Sequence, residues 1–190
     1  MMTSAGAAAP SRMRTLDMVY SALFAVLMAV CAWISIPVPK PLIPFSLQTF
    51  AVFAALASLG GRRGTYAVTA YLLLGAVGLP VFTGFRGGLD VLLGTTGGYI
   101  LGFLGAALLY WMMERLLGRS VPVKAAACVL GMVLYFTFGT AWFLVVYART
   151  SGPIGLGAAL SACVLPFILP DLVKIALALL LSRRVEKYLK

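Results

Sequence analysis

Pro166-Phe167-Ile168-Leu169-Pro170-Asp171-Leu172-Val173-Lys174 lies inside an apolar run, residues 157–181, whose only two charges are Asp171 and Lys174. An acid or base at the centre of a membrane helix costs roughly 2.5–3.5 kcal/mol on insertion scales, so such residues face a bundle interior or a polar cavity. At spacing i and i+3 the pair shares one helix face, with Cβ atoms about 5–6 Å apart. Pro166 and Pro170 withhold two backbone donors and free carbonyls at the same depth. The stretch reads as the floor of a polar ligand site set in a membrane helix.

The rest of the chain agrees with that setting. Of its 190 residues, 62% are hydrophobic and 11% charged, and mean hydropathy is +1.03. No soluble domain of this size buries so much apolar surface. A net charge of +10 would suggest nucleic acid in a soluble protein. Here it reports how loops are distributed across a bilayer, and no nucleic-acid partner is expected. Histidine is absent, which removes the commonest general base and metal ligand. Cys31, Cys128 and Cys163 stand far apart in apolar runs and read as small buried hydrophobes, with no metal site and no disulfide framework.

Residues 1–14 are rich in Ala, Ser and Gly and read as a disordered tail. Arg12 and Arg14 precede an apolar run at 16–36. That run exceeds the roughly 7–15 residues of a signal-peptide core. More apolar segments follow it, so it reads as a retained first helix.

Gly, Pro and charge divide a membrane domain, residues 15–182, into six helices: 15–36, 45–59, 65–79, 97–117, 123–147 and 157–181. Residues 37–44 are too rich in proline for helix and form a stiff extended loop. Residues 60–64 make a tight basic turn, 119–122 a short turn and 148–155 a loop. Residues 80–96 are irregular and glycine-rich, with a short apolar piece at 89–93, and residues 183–190 form a basic tail. No internal repeat is evident. The expected fold class is an all-α integral membrane protein with six transmembrane helices.

With the N-terminus in the cytoplasm, eleven of the fifteen cations fall on the inner side, among them Arg62, Arg63, Arg115, Arg119, Lys124 and Arg183. Lys40, Arg86 and Arg149 fall outside, and Lys174 lies in the membrane. This positive-inside bias puts both termini in the cytoplasm. The basic tail could also attract anionic membrane lipids. Counting back from Ser182, Asp171 lies about 16 Å and Lys174 about 12 Å from the inner edge of a ~30 Å core.

The two irregular stretches then share the outer side. Unpaired backbone is tolerated at membrane depth only where protein buries it or a wet cavity meets it. An outer cavity is therefore expected, roofed by these loops, with Asp171 and Lys174 below. Arg86 could meet a ligand carboxylate bidentately. Thr95-Thr96-Gly97-Gly98 leads into a helix N-terminus, which favours anions. Gln48 offers both donor and acceptor, to a ligand or to a neighbouring helix. Phe45, Phe82, Phe85, Tyr99 and Trp142 could wall an apolar ligand ring. Ser21, Ala25 and Ala29, at spacing four, let another helix approach closely, either within the chain or from a separate subunit. Catalysis finds little support: HExxH, GxSxG, a Cys/His pair and the Walker A pattern are all missing.

Pro44-Phe45-Ser46-Leu47-Gln48-Thr49-Phe50, Gly75-Ala76-Val77-Gly78-Leu79-Pro80-Val81-Phe82, Gly94-Thr95-Thr96-Gly97-Gly98-Tyr99 and the pair Asp171…Lys174 together resemble the BioY family. These are the biotin-specific S components of energy-coupling-factor (ECF) transporters of the bacterial cytoplasmic membrane. The resemblance spans residues 16–181. It implies six helices, one biotin bound as transported ligand with no cofactor, and contact of the ligand with Asp171 and Lys174. It extends to Thr83, Arg86, Gly98 and Gly102. Ser21, Ala25 and Ala29 look like the family's docking face for the membrane T subunit, which couples to paired ATPases; a homo-oligomer is the alternative assembly. Thr95 stands where the family pattern has proline. Asp171 suits the ureido N–H donors, Lys174 the ureido carbonyl or else the carboxylate, and Arg86 or the Gly97 and Gly98 amides the carboxylate. The competing expectations are an S component for another vitamin, an intramembrane enzyme using Asp171 and Lys174 as acid and base, and a purely structural ion pair.

Overall fold

A computed structural model of the chain describes residues 15–36 and 44–187. The expected tail at 1–14 and most of the proline-rich loop lie outside the described residues. The elements are α1 (Thr15–Trp33), β1 (Ser35–Ile36), β2 (Phe45–Ser46), α2 (Gln48–Leu59), α3 (Gly61–Ala76), α4 (Leu89–Leu93), α5 (Gly97–Leu117), α6 (Val121–Thr150), α7 (Leu156–Cys163) and α8 (Leu165–Val185). Among the described residues, four segments are long and apolar enough to cross a membrane: Thr15–Trp33, Gly97–Leu117, Val121–Thr150 and Leu156–Val185.

The bundle is built round its shortest long helix. α2 has twelve residues, eleven of them buried. It is apolar on every side, as a helix enclosed by others must be. Its small residues Ala51, Ala54, Ala55 and Ala57 let α1, α3 and α8 close on it. α5 and α6 form the tightest pair, because glycines on each helix receive bulky side chains of the other. A Cβ at Gly139 would collide with Tyr99, one at Gly98 with Trp142 and one at Gly102 with Tyr135.

Three boundaries depart from expectation. The basic turn at 60–64 shrinks to Gly60, whose φ of 84° turns the chain alone. Arg62 and Arg63 belong to α3. The helix starts early because Glu114, on α5, accepts the Gly61 N–H at 2.6 Å and satisfies an orphan donor of the first turn. The expected last helix is two: Val164 (φ −125°, ψ −59°) breaks it, and Pro166 opens α8 at a position where its missing N–H does no harm. α8 then runs past Ser182 to Val185. Finally, Ser35–Ile36 and Phe45–Ser46 pair as a two-stranded antiparallel ribbon in a fold expected to be wholly helical.

One end of the bundle is tied by ion pairs. Arg63 meets Asp17 at 2.8 Å, Arg119 meets Glu114 at 2.6 Å, and Lys124 meets Glu186. Lys124 also donates to Ala57 O at 3.2 Å. It is a buried helix residue that holds the last turn of α2. The start of α1, the α2–α3 and α5–α6 corners and the end of α8 meet here. The ribbon and the segment from Pro80 to α4 gather at the opposite end. There the Trp33 indole donates to Pro80 O at 2.8 Å and the Tyr71 hydroxyl to Val81 O at 3.0 Å.

Candidate functional site

The ribbon end opens into a cavity with about 800 Å³ of atom-free space, its mouth included. Its wall includes Asp171, Lys174, Gln48, Thr83, Arg86 and Tyr99, which come from α8, α2, the Pro80–α4 segment and α5.

The floor is a hydrogen-bonded polar cluster. Lys174 Nζ lies 2.8 Å from Asp171 Oδ1, and both side chains are buried. Lys174 also donates to Ser46 O at 2.7 Å and to Thr49 Oγ1 at 3.0 Å. All three ammonium protons are thereby engaged. Its charge also lies over the Phe45 ring, 4.1 Å from the centroid. Asp171 Oδ1 further accepts from Thr49 at 3.1 Å, and Oδ2 accepts from the Tyr135 hydroxyl. A carboxylate has about four lone-pair sites, so Asp171 keeps capacity for one more donor. The ribbon brings the Ser46 carbonyl to this point. Pro170 leaves Pro166 O without its helix partner one turn earlier.

Above the floor, Gln48 is 3% exposed. Its Oε1 accepts from Thr83 at 3.3 Å, while its Nε2 has no acceptor. A buried amide with two unused donors in a cavity wall is incomplete without a ligand acceptor. Phe82, Tyr99, Phe103, Phe136 and Phe167 supply apolar faces. Tyr99 is fixed by its 3.1 Å hydrogen bond with Thr140. Phe82 is admitted because Gly75 has no side chain in its way. Arg86 stands at the rim, half paired with Asp90 at 3.6 Å.

Other expected site residues fall elsewhere. Gly98 and Gly102 are not on the cavity wall; they lie in the α5–α6 seam against Trp142 and Tyr135. The Gly97 N–H turns back to Gly94 O at 3.1 Å and offers nothing to an anion. Trp142 donates to Gly94 O in the same seam, and Phe85 stacks on Trp33 at the surface. Ser21, Ala25 and Ala29 are 5%, 2% and 5% exposed. They face the chain's own α2 and α3, and Ser21 donates to Arg63 O at 3.2 Å. The neighbours that their small size admits within the chain are its own helices. Sequence reasoning missed Thr49 and Tyr135, although a hydroxyl amid the apolar run Leu134-Tyr135-Phe136 was a usable signal.

The sequence profile of the BioY family matches residues 2–190. The chain is 39% identical to the biotin transporter BioY of Thermotoga maritima over 90% of this chain and 96% of that one. It is 37% identical to a probable biotin transporter BioY of Pyrococcus horikoshii, over 87% and 93%. Its fold is similar to the crystal structure of an S-component for biotin from an ECF-type ABC transporter, with TM-score 0.79, 28% identity and 95% of each chain covered.

Proposed function

The chain belongs to the BioY family, and from that premise we propose that it is the biotin-binding, substrate-specific subunit of an ECF transporter. It is a transporter component, not an enzyme. The observation that carries this is the pairing, on one cavity wall, of a buried carboxylate with spare capacity and a buried amide with unused donors. A ureido ring presents N–H donors beside a carbonyl acceptor and matches both. Asp171 accepts a ureido N–H, and Gln48 Nε2 donates to the ureido carbonyl. Lys174 pairs with Asp171 and reaches the ligand only by exchanging a bond. Phe82, Tyr99 and Phe167 cover the thioether ring. Arg86 leaves Asp90 for the valerate carboxylate at the rim, and Thr83 orients Gln48.

We read α1, α2, α3, α5, α6 and the α7–α8 pair as six crossings of the bacterial cytoplasmic membrane, with both termini inside. The ion-paired end, where α1 starts and α8 stops, supports this, as does the inner excess of cations. Without a Walker A sequence, uphill uptake draws on the ATPase pair and T subunit of an ECF module.

Isothermal titration of the detergent-purified chain tests the proposal. Biotin is expected to bind at one site per chain, and desthiobiotin, which lacks the thioether ring, more weakly. No heat with biotin alongside clear binding of another vitamin would overturn it.

A further inference from the structure

Every carboxylate side chain is already engaged: Asp17 with Arg63, Asp90 with Arg86, Glu114 with Arg119, Asp171 with Lys174 and Glu186 with Lys124. Arg115, exposed in the last turn of α5, is left without one. Leu108, Trp111, Met112 and Leu116 form a groove with it along the outward face of α5. Leu108, Met112 and Leu116 are 48%, 52% and 74% exposed, at spacing four, so an apolar stripe runs alongside the guanidinium. Trp111 precedes Arg115 by one turn, which brings the two side chains together. Its indole N–H has no acceptor among the described residues. The helix dipole alone accounts for a cation in the last turn. It accounts neither for an unused indole donor beside that cation nor for the groove leading to them.

We propose that this face binds an anionic phospholipid in the leaflet at the ion-paired end of the bundle. One acyl chain lies along Leu108 and Met112. The phosphate oxygens accept from the Arg115 guanidinium and the Trp111 indole. Tryptophan at headgroup depth is the usual membrane placement. An anionic head fits better than a zwitterionic one because no free carboxylate remains to meet a choline or ethanolamine ammonium.

Native mass spectrometry of the full-length chain decides it. The protein is exchanged into phosphatidylcholine and titrated with phosphatidylglycerol of the same acyl chains. Phosphatidylglycerol should be retained over phosphatidylcholine, and Arg115→Gln should weaken retention about fivefold, the worth of one cation at a membrane surface. Trp111→Phe should weaken it less, Arg183→Gln should leave it unchanged, and soluble glycerol phosphate should not compete. Thermal unfolding reports whether each variant folds; should Arg115→Gln not fold, Trp111→Phe carries the comparison. Equal retention of the two lipids, equal loss in Arg115→Gln and Arg183→Gln, or displacement by glycerol phosphate would each overturn the proposal. Biotin plays no part in the readout, so the result stands apart from the ligand assigned to the cavity.

Discussion

Lys174 gives all three of its protons to Ser46, Thr49 and Asp171, so the groups with capacity left for a ligand are the Asp171 carboxylate and the Gln48 amide. These two residues separate binding from stability. Asp171→Asn keeps the volume but removes the charge that draws the ureido N–H. Biotin affinity should fall by at least about tenfold, near 1.4 kcal/mol, and titration calorimetry showing no change would remove Asp171 from the site. Gln48→Met deletes a buried donor with no partner together with the acceptor of Thr83, and relief of the unpaired amide offsets the loss of that one long hydrogen bond. The melting temperature should hold or rise while biotin binding weakens; unaltered binding would make Gln48 a packing residue. The Asp171–Lys174 pair was legible in sequence because a charge in an apolar run has no local excuse. Thr49 was not, since a threonine hydroxyl in a membrane helix commonly bonds its own backbone, and for Tyr135 the one mark was a hydroxyl in an apolar run.

At the scale of elements, the glycines of α5 set how closely α6 approaches, and that distance places Tyr135 against Asp171. A methyl at Gly102 would meet Tyr135 Cβ at 2.8 Å. Gly102→Ala should therefore destabilise by about 1–3 kcal/mol, as overpacking does, and should weaken biotin binding by displacing Tyr135. Gly157 in α7 has nothing within 4 Å of an added Cβ. Gly157→Ala should stabilise by up to about 1 kcal/mol through helix propensity alone. Thermal unfolding with and without biotin distinguishes the two, and equal effects would deny the seam this role. α4 and α5 were readable to the residue because glycines flank both. The break at Val164 was not readable, since an apolar run carries no mark of where packing interrupts it, and Pro166 is as compatible with a bend as with a new start.

For the whole molecule, α2 is held at both ends by buried lysines from other helices. Lys174 of α8 donates to Ser46 O just before its first turn, and Lys124 of α6 donates to Ala57 O in its last. Lys124→Met strands Glu186 and that carbonyl. It should lower stability by about 1–3 kcal/mol and leave biotin affinity unchanged, because the contact lies at the end away from the cavity. Adding Glu186→Gln should recover part of the loss, and strict additivity in that cycle would mean that the pair is not coupled. The charge count along the sequence placed Lys124 only on the inner side; burial and a partner 62 residues away give it a structural task.

The sequence by itself determined that this chain is a helical membrane protein with a polar pair in an apolar helix, because hydropathy, charge and proline act locally and leave marks at fixed positions. Tertiary structure alone decided what those groups do. It brought Gln48, Thr49 and Tyr135 to Asp171 from two other helices, and it turned the stripe of Ser21, Ala25 and Ala29 inward. Apolar residues can face lipid or protein at similar free energy, so in a membrane chain the inward face is chosen by packing between helices and not by the hydrophobic pattern.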